Sequence, residues 1–130
     1  MVTPRELKYN KTHEWVRVDG ELAYVGISDY AQQELGDIVY VEPPEVGAAV
    51  KKGDEVATIE SVKAASPIYA PVSGTVERIN PLLEKTPELV NKKPYEAFLF
   101  VLKIADQSEL AELLDAAAYE RHVEREKARG

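Results

Sequence analysis

Between Trp15 and Ile79 the apolar residues come in short, largely alternating runs, and glycine or proline turns separate many of them. Such a stretch builds short strands joined by turns. A long helix would need apolar residues three and four apart and few breakers in its interior. "EWVRVDGELAYVGIS" carries the pattern: Trp15, Val16 and Val18, then Leu22, Tyr24 and Val25, with Asp19–Gly20 between them, predict a β-hairpin. "SDYAQQELGD" interrupts the strands. Ser28 suits an N-cap, Asp29 the positive end of a helix and Gly36 a left-handed stop, which predicts one short helix over Asp29–Leu35. "DIVYVEPP" reads as a strand stopped by prolines. Further strands are expected around Val50 and over Glu55–Val62, Ala65–Ala70 and Gly74–Ile79.

Past the strands, "PELVNKKPYE" reads as a loop or one helical turn. "AFLFVLKI" at Ala97–Ile104 is apolar almost throughout, so a strand covered on both faces is expected. Ser108 can cap a helix that places Leu110, Leu113, Leu114 and Ala117 on one face; Asp115 can cap a second, carrying Tyr119, His122 and Val123. The charged end should fray. With 130 residues, one domain is the expectation, its β core at about 7–105 and its C-terminal helices at about 108–126. "PEVG" at Pro44–Gly47 is weakly echoed by "PVSG" at Pro71–Gly74, either as two half-motifs or as two unrelated turns.

Composition removes several kinds of chemistry. There is no cysteine, so disulfides, thiolate metal sites and cysteine nucleophiles are excluded, and His13 and His122 are too few for a histidine-rich metal site. A net charge of −7 without a basic stripe argues against nucleic acid. No apolar run approaches the ~20 residues that span a bilayer, and the N-terminus has no secretory pattern, so a cytoplasmic protein with no membrane partner is expected. No nucleophile triad, P-loop or dinucleotide fingerprint is present. His13–Glu14 is the one close histidine–carboxylate pair, and it reads as a solvated loop before a strand.

Lys63 is the unusual feature. It stands between two strand-like runs with small neighbours, Ser61, Ala64, Ala65 and Ser66, as a lysine at a hairpin tip would. A rigid turn with a mobile four-carbon stem makes a good acyl acceptor. The residues alone fit an ordinary exposed lysine equally well.

"HEWVRVDG", "VGISDYAQQELGDIVYVEPPEVG", "VATIESVKAASPIYAPVSGTVERIN" and "PELVNKKPYE" resemble the glycine cleavage system H proteins, over roughly Leu7 to Tyr119. The resemblance implies a mainly β barrel-sandwich hybrid like lipoyl and biotinyl domains, with a short internal helix and C-terminal helices. It implies a carrier without catalytic activity, bearing lipoic acid in amide linkage on Lys63. Glu60 and Gly74 would serve recognition by the lipoate-attaching enzyme; the residues alone read as a solvent-facing strand position and a turn glycine needing φ > 0. Thr12, Glu14 and Trp15 would dock the loaded arm, offering a hydroxyl, a carboxylate and an aromatic wall. Its partners would be a pyridoxal-phosphate glycine decarboxylase, a folate-dependent aminomethyltransferase and dihydrolipoyl dehydrogenase. A lipoate relay for other complexes and an unmodified β-rich interaction module are the alternatives. Two departures stand out: "EAFLFVLKI" replaces a stretch with glycine and tryptophan, and Pro67 stands where many members have an acidic residue.

Overall fold

The computed structural model describes residues 2–129. Short strand β1 (Lys8–Tyr9) leads into the hairpin of β2 (Glu14–Asp19) and β3 (Leu22–Ile27), paired from Glu14↔Ile27 to Asp19↔Leu22. The tight turn is Gly20–Glu21, one residue later than the Asp-Gly signal suggests, and Gly20 takes φ 61°. Helix α1 (Asp29–Leu35) follows, capped by the Ser28 hydroxyl on the Ala31 amide at 3.2 Å and ended by Gly36 at φ 79°. Then come β4 (Ile38–Glu42), β5 (Ala49–Val50), β6 (Glu55–Ser61), β7 (Ala65–Tyr69) and β8 (Gly74–Ile79). Two single-turn helices, α2 (Leu82–Lys85) and α3 (Leu89–Lys92), precede β9 (Phe100–Ile104).

The strands form two sheets, six in the order β1-β2-β3-β9-β8-β5 and three in the order β4-β6-β7. No continuous ladder joins the two among the described residues, so the layers face one another across the core and the barrel is not closed. Central β9 explains the apolar run: Phe100, Val101 and Leu102 are buried between the β3 and β8 ladders, and only Lys103 reaches solvent. The echoed segments end as neighbours, since β5 pairs with β8 through Val50↔Gly74.

Strand alternation divides the apolar residues between two cores. Val16, Val25, Ile59, Ile68, Val76 and Leu102 belong to the larger, which draws on both sheets. Trp15, on the opposite face of β2 from Val16, joins Leu7, Tyr9, Tyr119 and Val123 in the smaller. The Trp15 ring lies across Gly26 of β3, where a Cβ would come within 2.5 Å of it.

The C-terminal helical pattern is split. Asp106, rather than Ser108, caps a 3₁₀ turn over Gln107–Glu112 by accepting from the Ser108 amide at 3.0 Å. Leu114 then leaves helical geometry because its backbone exchanges two hydrogen bonds with Tyr9, each 2.8 Å. That cross-chain pairing lies outside anything a local period reports. Asp115 accepts from Ala118 N at 2.8 Å and starts α4 (Ala116–Ala128). Tyr119 of α4 stacks on Tyr9 with centroids 4.5 Å apart, which seats the helix against the larger sheet. No helix of the described residues is long and apolar enough to cross a membrane.

Candidate functional site

Lys63 sits at the tip of the β6–β7 hairpin. Glu60 pairs with Ala65, and Ser61 donates its amide to Ala64 O at 2.8 Å, leaving Val62 and Lys63 as the turn. The Ser61 hydroxyl accepts from the amides of Lys63 at 3.3 Å and Ala64 at 3.1 Å and donates to Ala64 O at 3.2 Å. That one nearly buried side chain replaces the glycine a tight turn often needs. The Val62 amide donates to Asp37 O at 3.0 Å and ties the tip to the end of α1. Lys63 is exposed and has no ion-pair partner among the described residues. Its Cε lies 3.6 Å from the place a Cβ on Gly36 would occupy, so the stem crosses the exit of α1.

Beside that crossing lies a cleft of about 260 Å³. Leu35, Ala31, Ser66, Pro67, Ile68 and Ile27 line it, with Thr12, His13, Tyr30, Glu34 and Glu126. Pro67 lies on β7, an edge strand, where its missing N–H does not break the sheet. Its ring puts apolar surface on the cleft wall.

The Thr12–Val16 stretch is not arranged as a simple groove wall. Thr12 is exposed and lines the cleft. Glu14 points to the same face of β2 as Val16 and is 1% exposed. It accepts from Asn10 Nδ2 at 3.0 Å, from the Thr12 hydroxyl, and from the Tyr69 amide of β7 at 3.1 Å. Burial pushes its carboxyl above the ordinary range, while these hydrogen bonds pull it back. Trp15 is fully buried on the other face, its indole N–H donating to Pro94 O at 2.9 Å, and it does not line the cleft. His13 is not a solvated loop residue. Among the described residues it is the one non-glycine with positive φ, 81°, and it is half-buried, with Nδ1 2.7 Å from the Tyr119 hydroxyl and Nε2 2.8 Å from Glu126. Burial lowers its pKa, against the pull of Glu126.

Glu60 is exposed on β6 beside the turn. Gly74 is not a turn glycine at positive φ. It lies in β8, and a Cβ on it would meet Lys103 O of β9 at 2.2 Å. No motif in the sequence marks the cleft carboxylates Glu34 and Glu126, or Tyr30. The helical spacing of Tyr30 and Glu34 was their one local signal; Glu126 lies far away in the chain.

A carboxyl with a raised folded pKa contributes stability below its ordinary value of 4.5 and loses it as pH rises through the raised value. The cost of Glu14→Gln, read by urea unfolding, should therefore be largest below about pH 4.5 and shrink as pH rises.

Residues 7–126 match the family described as Glycine cleavage H-protein. The glycine cleavage system H protein of Thermus thermophilus is 55% identical over 127 residues, covering 97% of this chain and 99% of its own. That of Marinobacter nauticus is 52% identical over 126 residues, covering 95% and 97%. The crystal structure of the H protein from Mycobacterium marinum superposes with a TM-score of 0.83 at 31% identity, covering 91% of this chain and 96% of the other. With two facing sheets, an exposed hairpin-tip lysine and a match along nearly its whole length, the chain belongs to the glycine cleavage H-protein family, the non-catalytic lipoyl carriers of the glycine cleavage system.

Proposed function

We propose that Lys63 is the lipoyl attachment point, that lipoic acid is held there in amide linkage, and that the arm serves aminomethyl transfer in the cytoplasm. The observation that supports this reading is the placement of Lys63. Its side chain is exposed on a turn fixed by Ser61, and its stem lies against Gly36, the residue after Leu35 of a partly apolar cleft. Held on Lys63, the lipoyl disulfide would supply a two-electron acceptor and a sulfur carrier: a pyridoxal-phosphate glycine decarboxylase would load it with the aminomethyl group left when glycine loses carbon dioxide, a folate-dependent aminomethyltransferase would take the carbon and release ammonia, and dihydrolipoyl dehydrogenase would oxidise the remaining dithiol. This chain's residues position and shelter the arm. The fixed turn sets the centre of its sweep, and the tether raises local concentration at each partner. Leu35, Pro67 and Ile68 offer apolar surface for an acyl chain. Thr12 lies at the cleft wall, Glu14 holds Thr12 from behind, and Trp15 anchors the same strand from the opposite core. Glu34 and Glu126 are the carboxylates lining the cleft within reach of a bound ammonium.

The test is reconstitution with the three partner enzymes: the lipoylated chain should support glycine cleavage and the unlipoylated chain should not. Loss of activity without loss of lipoylation would leave the relay reading instead. Glu60 and Gly74 are proposed to serve the attaching enzyme. Glu60→Gln should slow lipoylation severalfold while leaving the melting temperature within about 4 °C, because an exposed charge contributes at most ~1 kcal/mol to folding. Equal lipoylation rates would remove Glu60 from recognition.

A further inference from the structure

We propose that His13, His122 and Glu126 form a binding site for a divalent cation of the zinc class. The three residues come from opposite ends of the chain. His13 precedes β2, whereas His122 and Glu126 stand one turn apart on α4. One ligand atom from each lies within 4.8 Å of the other two. Glu126 Oε2 is 2.8 Å from His13 Nε2, and Glu126 Oε1 is 3.2 Å from His122 Nε2. A tetrahedral zinc ion with bonds of about 2.0–2.1 Å holds its ligand atoms about 3.3 Å apart. Small rotations of three side chains therefore close the site.

Two further features fit a metal better than a plain ion-paired cluster. The His13 ring is already oriented from behind. Its Nδ1 meets the Tyr119 hydroxyl at 2.7 Å, which in turn meets Ser28 Oγ at 2.6 Å, leaving Nε2 to face the other two groups. Outer contacts of this kind set the tautomer of metal-binding histidines. Its backbone, at φ 81°, is held by hydrogen bonds from the His13 amide to Asn10 O and from the Ser28 amide to His13 O, each 2.9 Å, so the ring does not drift. The side chains remain 17%, 17% and 32% exposed, enough for an ion to enter and keep a solvent ligand.

Two imidazoles and a carboxylate select zinc, copper or nickel over magnesium and calcium, which prefer all-oxygen sites. Binding exchanges the protons now held between these groups. His13 Nε2 lies 2.8 Å from Glu126 Oε2 and His122 Nε2 2.9 Å from Lys11 O, and to coordinate, each imidazole must carry its proton on Nδ1, for His13 facing the Tyr119 hydroxyl. The bound ion pins α4 to the loop before β2.

The experiment is calorimetric titration of the untagged, chelator-treated, unlipoylated chain with zinc chloride, and with magnesium chloride in parallel. The chain has no cysteine, so no thiol competes. One zinc per chain is expected, with a rise in melting temperature that magnesium does not produce. His122→Gln and Glu126→Gln, both on α4, should fold normally and weaken zinc binding by about 10–100-fold or more. Cobalt should give the intense visible spectrum of a four-coordinate site in wild type and lose it in both variants. Equal zinc affinity in wild type and His122→Gln, or magnesium binding as tight as zinc, overturns the proposal.

Discussion

Lys63→Arg is expected to abolish lipoylation and glycine cleavage while leaving the fold intact. The turn is held by the Ser61 hydroxyl and by the Val62 amide on Asp37 O, neither of which involves the Lys63 side chain. Lys63 has no ion-pair partner among the described residues to lose, and its side chain is exposed. Stability should therefore stay within about 0.5 kcal/mol of wild type. Arginine keeps the positive charge but stays protonated near neutral pH, with no free amine to acylate. Intact mass after coexpression with a lipoate ligase should show one adduct in wild type and none in the variant. Reconstituted glycine cleavage should fall to background, and peptide mass spectrometry should place the adduct on Lys63. An adduct on Lys51, Lys52 or another lysine would sink the assignment.

The second large effect is expected at Gly74. A methyl group there would meet Lys103 O at 2.2 Å, Lys103 C at 3.1 Å and Ile104 Cα at 3.5 Å. All three are backbone atoms, so no rotamer change relieves the clash and β8 must move away from β9. On its other side β8 is held by β5 through Val50↔Gly74. Gly74→Ala should cost roughly 3 kcal/mol or more, because overpacking against backbone cannot relax locally. For a chain of this size that lowers the melting temperature by about 10 °C or more. Lipoylation should slow as well, since the hairpin that carries Lys63 packs on this sheet through the larger core. Gly47→Ala is the control. Gly47 has φ 92° but open space around the added Cβ, so only backbone strain applies, about 1 kcal/mol. Equal losses in the two variants would mean that conformation, not close approach, is what Gly74 supplies.

Much of this molecule could be read along the chain. Alternation and turn residues between Trp15 and Ile79 specify short strands, because side chains on neighbouring positions point to opposite faces. Ser28 and Gly36 mark the ends of α1 because they meet orphaned backbone groups that any helix leaves. The apolar run at Phe100–Leu102 marks a buried central strand. The motif around Lys63 points to the carrier lysine by resemblance alone; nothing in its composition separates it from any exposed lysine.

Other features were decided only when distant segments met. Gly74 looks like a turn glycine until β9 arrives 2.2 Å from its missing Cβ. His13 looks solvated until α4 brings Tyr119, His122 and Glu126 to its ring from more than 100 residues away. Leu114 looks helical until its backbone finds Tyr9. Glu14 and Trp15 are adjacent in sequence yet buried on opposite faces of β2, Trp15 in the smaller core and Glu14 on the side of Val16, which belongs to the larger. Local rules act over one turn or one strand, and so they suffice for the strands, for the ends of α1 and for the turn that carries Lys63. The cleft, the burial of Glu14 and the meeting of His13 with α4 belong to the tertiary structure, since each depends on contacts whose partners no local pattern names.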